Sequence, residues 1–131
     1  MPHDAARLAE ARDWISHAAT DLRAGRHDLS ADPPLIDDAL FHAQQACEKA
    51  MKALLVLHDQ QFPKTHDLSL LGSLCAGIEP AFEPLMRQAA PLSDYSWRHR
   101  YPGPSVEPTM TEADEALAIA DRVIAAMRAR V

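Results

Sequence analysis

Apolar side chains recur every three or four residues over three long stretches of this chain, and this spacing constrains the fold most. The stretches cover about residues 4–27, 37–58 and 109–131. Such spacing places the apolar side chains on one face of an α-helix. The last stretch begins with Thr109 and Glu112, which have the spacing of a capping box. Because each apolar face must be buried against another, the pattern predicts packed amphipathic helices.

Two shorter helices are predicted between the second and third stretches. Thr65 is placed to cap a third helix that stops near Gly77, and Pro80 can occupy the first turn of a fourth that reaches about Ala90. The connections are mostly short, so helices that follow one another should pack antiparallel. The sequence therefore predicts an all-α, up-and-down bundle of about five helices, with residues 1–131 forming a single domain.

Composition excludes several classes of protein. The chain has 131 residues and a formal net charge of -6, so it has no overall positive field to attract nucleic acid, although a local groove can still be basic. The two cysteines, Cys47 and Cys75, lie inside helical patterns without metal-ligand spacing, and we expect two buried thiols. Neither a signal peptide nor an apolar stretch of about 20 residues is evident, so we expect a cytoplasmic protein with no membrane partner.

The second helix carries a row of polar residues opposite its apolar stripe. Glu48 and Lys52 are four residues apart in this row, and Phe41 and Leu55 bound it. One interpretation is a solvated face with a surface ion pair. The other is a face covered by another helix or by a second subunit, because exposed apolar residues would otherwise serve no purpose. The proposed polar row or dimer interface comprises Phe41, His42, Gln45, Glu48, Lys49 and Lys52.

The stretch SDYSWRHRYPGPS, residues 93–105, combines basic and aromatic residues just before a run of prolines. Cleavage of RNA without a metal needs a base, a proton donor and a cation for the developing phosphorane charge. His99 with Arg98 and Arg100 can supply all three in principle. They are therefore candidates for catalytic residues.

The same stretch also suits a binding role, which makes fewer geometric demands. Arg98 and Arg100 can clamp a phosphate through paired hydrogen bonds. Tyr95, Trp97 or Tyr101 can stack on a base. We therefore take Arg98, Arg100 and Tyr101 as candidate ligand-binding residues.

A third interpretation of the stretch is purely structural. Arg100 would then pair with a buried acid such as Asp21 or Glu48, while Tyr101 packs over the end of the bundle. Breaking such a pair would destabilise the fold even if its net contribution is small.

The linker before the third helix gives one further candidate for anion binding. Lys64 lies next to free amides at a predicted helix start, where Thr65 and Asp67 are more simply explained as capping residues. For a metal, His42, His58 and His66 are candidates in adjacent elements, but they share neither a helical face nor a short spacing. The expectation is therefore no metal and no cofactor.

Several segments together resemble one known family. They are ARDWISHAATDLRAGRHDL (11–29), ALFHAQQACEKAMKALLVLH (39–58), FPKTHDLSLL (62–71) and RYP (100–102). In this order they resemble the signatures of the HEPN domain, the higher-eukaryote and prokaryote nucleotide-binding domain. The strongest pieces are Gln45, Glu48 and Lys52 with the run 64–68 that follows them.

The resemblance implies a helical bundle that is usually dimeric. Many prokaryotic members are encoded beside a minimal nucleotidyltransferase, and several such pairs act as toxin and antitoxin. The resemblance thus implies a small nucleotide- or RNA-binding and interaction protein, a homodimer that works with a nucleotidyltransferase in a toxin–antitoxin-like module.

The alternative implied by the resemblance is a metal-independent endoribonuclease. In such members the motif is an Arg followed, a few residues later, by a His, placed late in the chain so that two copies meet at the dimer interface. This sequence departs from that pattern: no His follows Arg98 and Arg100 except His99, which precedes Arg100. A nuclease of this family would therefore need an atypical active site here, and we expect binding rather than catalysis.

Overall fold

The structure, a computed structural model, describes residues 3–96 and 107–131. Five α-helices and two 3₁₀ helices account for most of them, and the described residues contain no β-strand. The α-helices are α1 (Ala5–Ser30), α2 (Ile36–Leu57), α3 (Leu68–Ile78), α4 (Glu83–Ala89) and α5 (Met110–Arg128), and the 3₁₀ helices span Pro80–Phe82 and Ala90–Ser96. The predicted all-α helical bundle is confirmed.

Helix α2 lies at the centre of the bundle. It packs along α1, against α5 and α3, and against the second 3₁₀ helix, while α3 and α4 pack on each other. Helices α1 and α2 run antiparallel: Arg7 near the start of α1 pairs with Asp59 beyond the end of α2, and Asp21 near the middle of α1 pairs with Lys49. Residues of α2 dominate the core because this helix is buried on several sides.

Three helices come close together at Gly25 of α1. A Cβ added there would lie 2.6 Å from Cδ2 of Leu117 on α5 and 3.3 Å from the carbonyl oxygen of Ala39 on α2. Glycine at this position therefore lets the α1–α2 hairpin and α5 pack without a gap. A side chain there would force Leu117 to move and would press on the backbone of α2.

Side chains cap the starts of α1, α3 and α5; the predicted cap at Thr109 is confirmed, and the predicted cap at Thr65 is not. The side chain of Asp4 accepts from two amides at the start of α1, and that of Thr109 accepts from the amide of Glu112 at the start of α5. The prediction that Thr65 caps α3 is wrong. Asp67 is the cap and accepts from the amide of Ser69, while Thr65 accepts from the amide of Asp67 just before the helix.

Helix α2 ends in a left-handed residue. Asp59 has a φ of 54°, and the amides of Asp59 and Gln60 donate to the carbonyls of Val56 and Leu55. This is the hydrogen-bond pattern of a Schellman motif, which usually has glycine where Asp59 lies. The motif directs the chain sharply into the linker that returns along α2.

Both cysteines are buried thiols, as predicted. Cys47 and Cys75 have no exposed surface, and burial raises the pKa of each thiol to about 12. Across the described part of the chain, no helix is at once long and apolar enough to cross a bilayer.

Candidate functional site

The polar face of α2 takes part in a hydrogen-bond cluster, here called the Glu48 cluster, formed by the buried Gln44, Glu48 and Lys52 of α2 and by the exposed His66 of the following linker. Lys52 Nζ donates to Glu48 Oε2 at 3.0 Å, and His66 Nδ1 donates to Glu48 Oε1 at 2.8 Å. Gln44 Nε2 bonds both Glu48 Oε1, at 3.1 Å, and the carbonyl of His66, at 3.2 Å. The buried carboxylate thus accepts from three side chains, which is the condition under which burying a charge is tolerated.

Two aromatic rings cover the Glu48 cluster from elsewhere in the chain. Lys52 Nζ lies 5.8 Å from the ring centroids of both Trp14, on α1, and Phe62, in the linker after α2. Glu48 is 4% exposed and Lys52 is 9% exposed, and Leu55 beyond them is fully buried. The interpretation of this part of the row as a solvated face is therefore wrong. The ion pair of Glu48 and Lys52 is present as predicted, but α1 and the linker cover it.

A second polar cluster, here called the Asp21 cluster, lies on the same helix nearer its start. Asp21 of α1 is buried and accepts from His42 Nδ1 at 2.8 Å and from Lys49 Nζ at 2.5 Å. His42 Nε2 lies 3.4 Å from Asp38 Oδ2, one turn earlier on α2. Since a carboxylate only accepts, the 2.8 Å bond places a proton on His42 Nδ1.

Asp28, in the last turn of α1, faces this second cluster and is poorly satisfied. Its Oδ2 atom is buried and has no hydrogen-bond partner among the described residues. Burial raises the pKa of Asp28 to about 6, and the neighbouring carboxyl of Asp38 contributes to the rise. Asp28, Asp38 and His42 are also the one group in the described residues with the spacing to share a metal ion. The three predicted histidine candidates, His42, His58 and His66, are not brought together.

The remaining residues of the row are partly exposed. Phe41, His42, Gln45 and Lys49 lie at the surface of α2 next to the two clusters, and His42 and Lys49 expose about a quarter of their side chains. These four residues are the partly exposed part of the predicted dimer interface.

The basic and aromatic stretch falls mostly outside the described residues. Arg98, His99, Arg100 and Tyr101 all lie in the segment 97–106, so their predicted roles concern residues that the structure does not describe. The predicted partners of Arg100 are already engaged: Asp21 accepts from two side chains and Glu48 from three, as described above.

The 3₁₀ helix that precedes the segment 97–106 contacts the start of α3. The hydroxyl of Ser93 accepts from the amide of Leu68, the first residue of α3, at 2.8 Å. Ser93 belongs to the 3₁₀ helix that ends at Ser96, immediately before Trp97. Lys64, four residues before Leu68, is exposed. Among the described residues, Ser93 and the linker that carries Lys64 therefore both lie at the start of α3.

Sequence reasoning missed three residues of these clusters. Gln44 is fully buried, although a signal existed: it lies between Leu40 and Cys47 along the apolar stripe of α2. Asp28 and Asp38 gave no such signal, because their approach depends on how the turn between α1 and α2 folds.

Comparisons with known proteins agree with this architecture. The sequence model of the HEPN domain matches residues 11–130, nearly the whole chain. The crystal structure of TT1696 from Thermus thermophilus is similar, with a TM-score of 0.71 and 28% sequence identity over 92% of this chain and 98% of that one. A comparison with curated proteins found no significant match. The extent of the family match, together with the α2-centred bundle, shows that this chain belongs to the HEPN domain family.

Proposed function

We propose that this protein binds a nucleotide or a single-stranded RNA, and that it acts as a homodimeric partner of a minimal nucleotidyltransferase in a toxin–antitoxin-like module. The observation that carries the proposal is the hydrogen bond between Ser93 and Leu68. The bond holds Ser93, five residues before Arg98, beside Leu68, four residues after Lys64, and so supports a shared site for the two stretches. Cations from two parts of the chain can then act on one phosphate group, with an aromatic ring for a base.

The electrostatics of this end of the protein support the proposal. Glu48 is the buried acid nearest the linker, and its charge is offset by the ammonium of Lys52 and by the hydrogen bond from His66. Asp67 uses its carboxylate as a helix cap. A phosphate approaching Lys64 therefore meets acidic groups that are already engaged, although the chain as a whole is acidic.

The homodimer is proposed on the partly exposed residues of the α2 row. Phe41, Gln45 and Lys49 are partly exposed beside the buried Glu48 cluster, so a second copy docked there would extend an existing polar network. The measurement is molar mass by light scattering: twice the chain mass supports the dimer, and Phe41→Ser should shift it toward the monomer. A monomeric wild type at micromolar concentration contradicts the dimer.

One experiment separates binding from cleavage. Purified protein is incubated with end-labelled single-stranded RNA and EDTA, and retained and cleaved RNA are both measured for the wild type, Arg98→Ala, His99→Ala and Lys64→Ala. Arg12→Ala is the matched control, because Arg12 is also exposed but lies on the outer face of α1. Binding that is lost with Arg98→Ala and Lys64→Ala, without cleavage, supports the proposal. Cleavage that His99→Ala abolishes would replace it with the endoribonuclease.

The partner is tested separately. The tagged protein and a minimal nucleotidyltransferase encoded beside it are expressed together and purified through the tag. Recovery of a stoichiometric complex supports the proposed module, and recovery of the tagged protein alone contradicts it. RNA binding in the previous experiment does not depend on this result.

A further inference from the structure

The turn between α1 and α2 brings three metal-ligand side chains together. Asp28 lies in the last turn of α1, and Asp38 and His42 lie one helical turn apart on α2. Each offers one ligand atom, and these atoms all lie within 4.8 Å of one another. Their placement on two different helices distinguishes this group from the many acid pairs on the surface of one helix.

The buried carboxylate of Asp28 gives independent evidence that this group lacks a partner. Asp28 is 9% exposed, and its Oδ2 atom has no hydrogen-bond partner among the described residues. A buried charged oxygen without a partner is costly, and another carboxylate beside it adds repulsion. A cation between Asp28 and Asp38, or a proton shared by the two carboxyls, would relieve both costs.

The ring of His42 is oriented to supply a lone pair to the same place. Its Nδ1–H donates to Asp21 at 2.8 Å, and Lys49 holds the other oxygen of that carboxylate. This fixes the ring so that Nε2 points toward Asp38, 3.4 Å away. A histidine whose far nitrogen is held by a carboxylate is the usual outer arrangement around a protein metal ion.

We propose that Asp28, Asp38 and His42 bind one divalent first-row transition-metal ion, such as Zn²⁺, which joins the end of α1 to the start of α2. Two carboxylates with an imidazole favour such an ion over Mg²⁺ or Ca²⁺, which prefer oxygen ligands alone. This site is structural and separate from the proposed RNA-binding end, so it does not depend on the proposed function.

The site needs only a small adjustment to hold an ion. Zn²⁺ takes nitrogen and oxygen ligands at about 2.0–2.2 Å, so two of its ligands lie at most about 4.2 Å apart. The ligand atoms are now within 4.8 Å. Asp38 has a half-exposed side chain and can move inward, whereas Asp28 and His42 are held by their surroundings. Water can complete the coordination from the open side of Asp38.

The test measures metal binding by the full-length protein after dialysis against EDTA. Calorimetry with Zn²⁺, and with Co²⁺ for its visible spectrum, should give one ion per chain. Saturating Zn²⁺, at about a hundred times the Kd, should raise Tm by about 10 °C, because the ion binds only the folded hairpin. Mg²⁺ at the same concentration should raise it much less.

Three variants locate the ion. Asp28→Asn, Asp38→Asn and His42→Gln should each weaken binding by more than the roughly 10–100-fold typical of losing an outer-shell partner. Asp38 is half-exposed, so Asp38→Asn keeps the fold even if the other two variants lose it. The matched control is His17→Gln, which removes the His of an exposed pair, His17 and Asp13, also four residues apart.

The outcomes separate clearly. The site is supported if all three ligand variants weaken metal binding and His17→Gln leaves it unchanged. The proposal is overturned if no ion binds with a Kd below about 0.1 mM. It is equally overturned if Asp38→Asn binds as tightly as the wild type, or if His17→Gln alone reduces binding.

Discussion

Removing the carboxylate of Glu48 should be among the most destabilising single changes in this protein. In Glu48→Met the ammonium of Lys52, 9% exposed, keeps among the described residues only the rings of Trp14 and Phe62, at 5.8 Å, as partners. Breaking a buried ion pair by deleting one partner costs about 3–5 kcal/mol. A domain of this size has about 5–15 kcal/mol of stability in total, so the loss is a large fraction of it.

Removing both charges should cost much less. In the double variant Glu48→Met with Lys52→Met neither member of the pair leaves the other as an unpaired buried charge. Gln44 still donates to the carbonyl of His66 at 3.2 Å, and the ring of His66, whose side chain is 68% exposed, can bond water instead. The coupling energy between the two sites should therefore reach at least about 2 kcal/mol.

The assay is equilibrium unfolding in urea followed by circular dichroism at about 222 nm, for the wild type, both single variants and the double variant. The matched control is the same cycle on Glu83 and Arg87, which form an ion pair with the same spacing but are 46% and 77% exposed. That cycle should give at most about 0.5 kcal/mol. A cost for Glu48→Met no greater than for Glu83→Met would refute the reasoning.

Three further changes test the packing. In urea unfolding, Gly25→Ala should lower the free energy of unfolding by about 1–3 kcal/mol, because the new Cβ would lie 2.6 Å from a neighbouring side chain. Gly77→Ala should raise it by up to about 1 kcal/mol, because the new Cβ would have nothing within 4 Å. Burial raises the pKa of Cys47 and Cys75 to about 12, so neither thiol should react with a thiol reagent at about pH 8 until urea unfolds the protein. Rapid reaction of the native protein would contradict their burial. At Asp59, where φ is 54°, Asp59→Val should lower Tm while Asp59→Gly does not, and equal Tm values would argue against the left-handed turn.

The helices could be predicted from sequence because the signals for them are local. Apolar spacing located α1, α2 and α5 to within a few residues, and the cap at Thr109 was predicted from its own side chain and that of Glu112. The error at the start of α3 was also local. Thr65 and Asp67 are both good caps, and the sequence does not say which of them the first turn uses.

The environment of the polar residues could not be predicted, because distant parts of the chain create it. Glu48 and Lys52 look like a surface pair until Trp14 and Phe62, both well separated from them in sequence, cover them. Asp28 and Asp38 belong to different helices and approach only because the turn between α1 and α2 reverses the chain. Their partners depend on tertiary geometry, which periodicity does not contain.

The dependence of RNA affinity on salt tests the central claim most directly. Fluorescence anisotropy with labelled single-stranded RNA, repeated at several salt concentrations, gives a slope of log K against log salt of about -0.7 for each phosphate neutralised. Lys64→Ala and Arg98→Ala should each reduce the magnitude of that slope by about 0.7, and Arg12→Ala should leave it unchanged. An RNA-binding site at this end of the protein would be contradicted if the protein did not bind the RNA. It would also be contradicted if neither Lys64→Ala nor Arg98→Ala altered the slope.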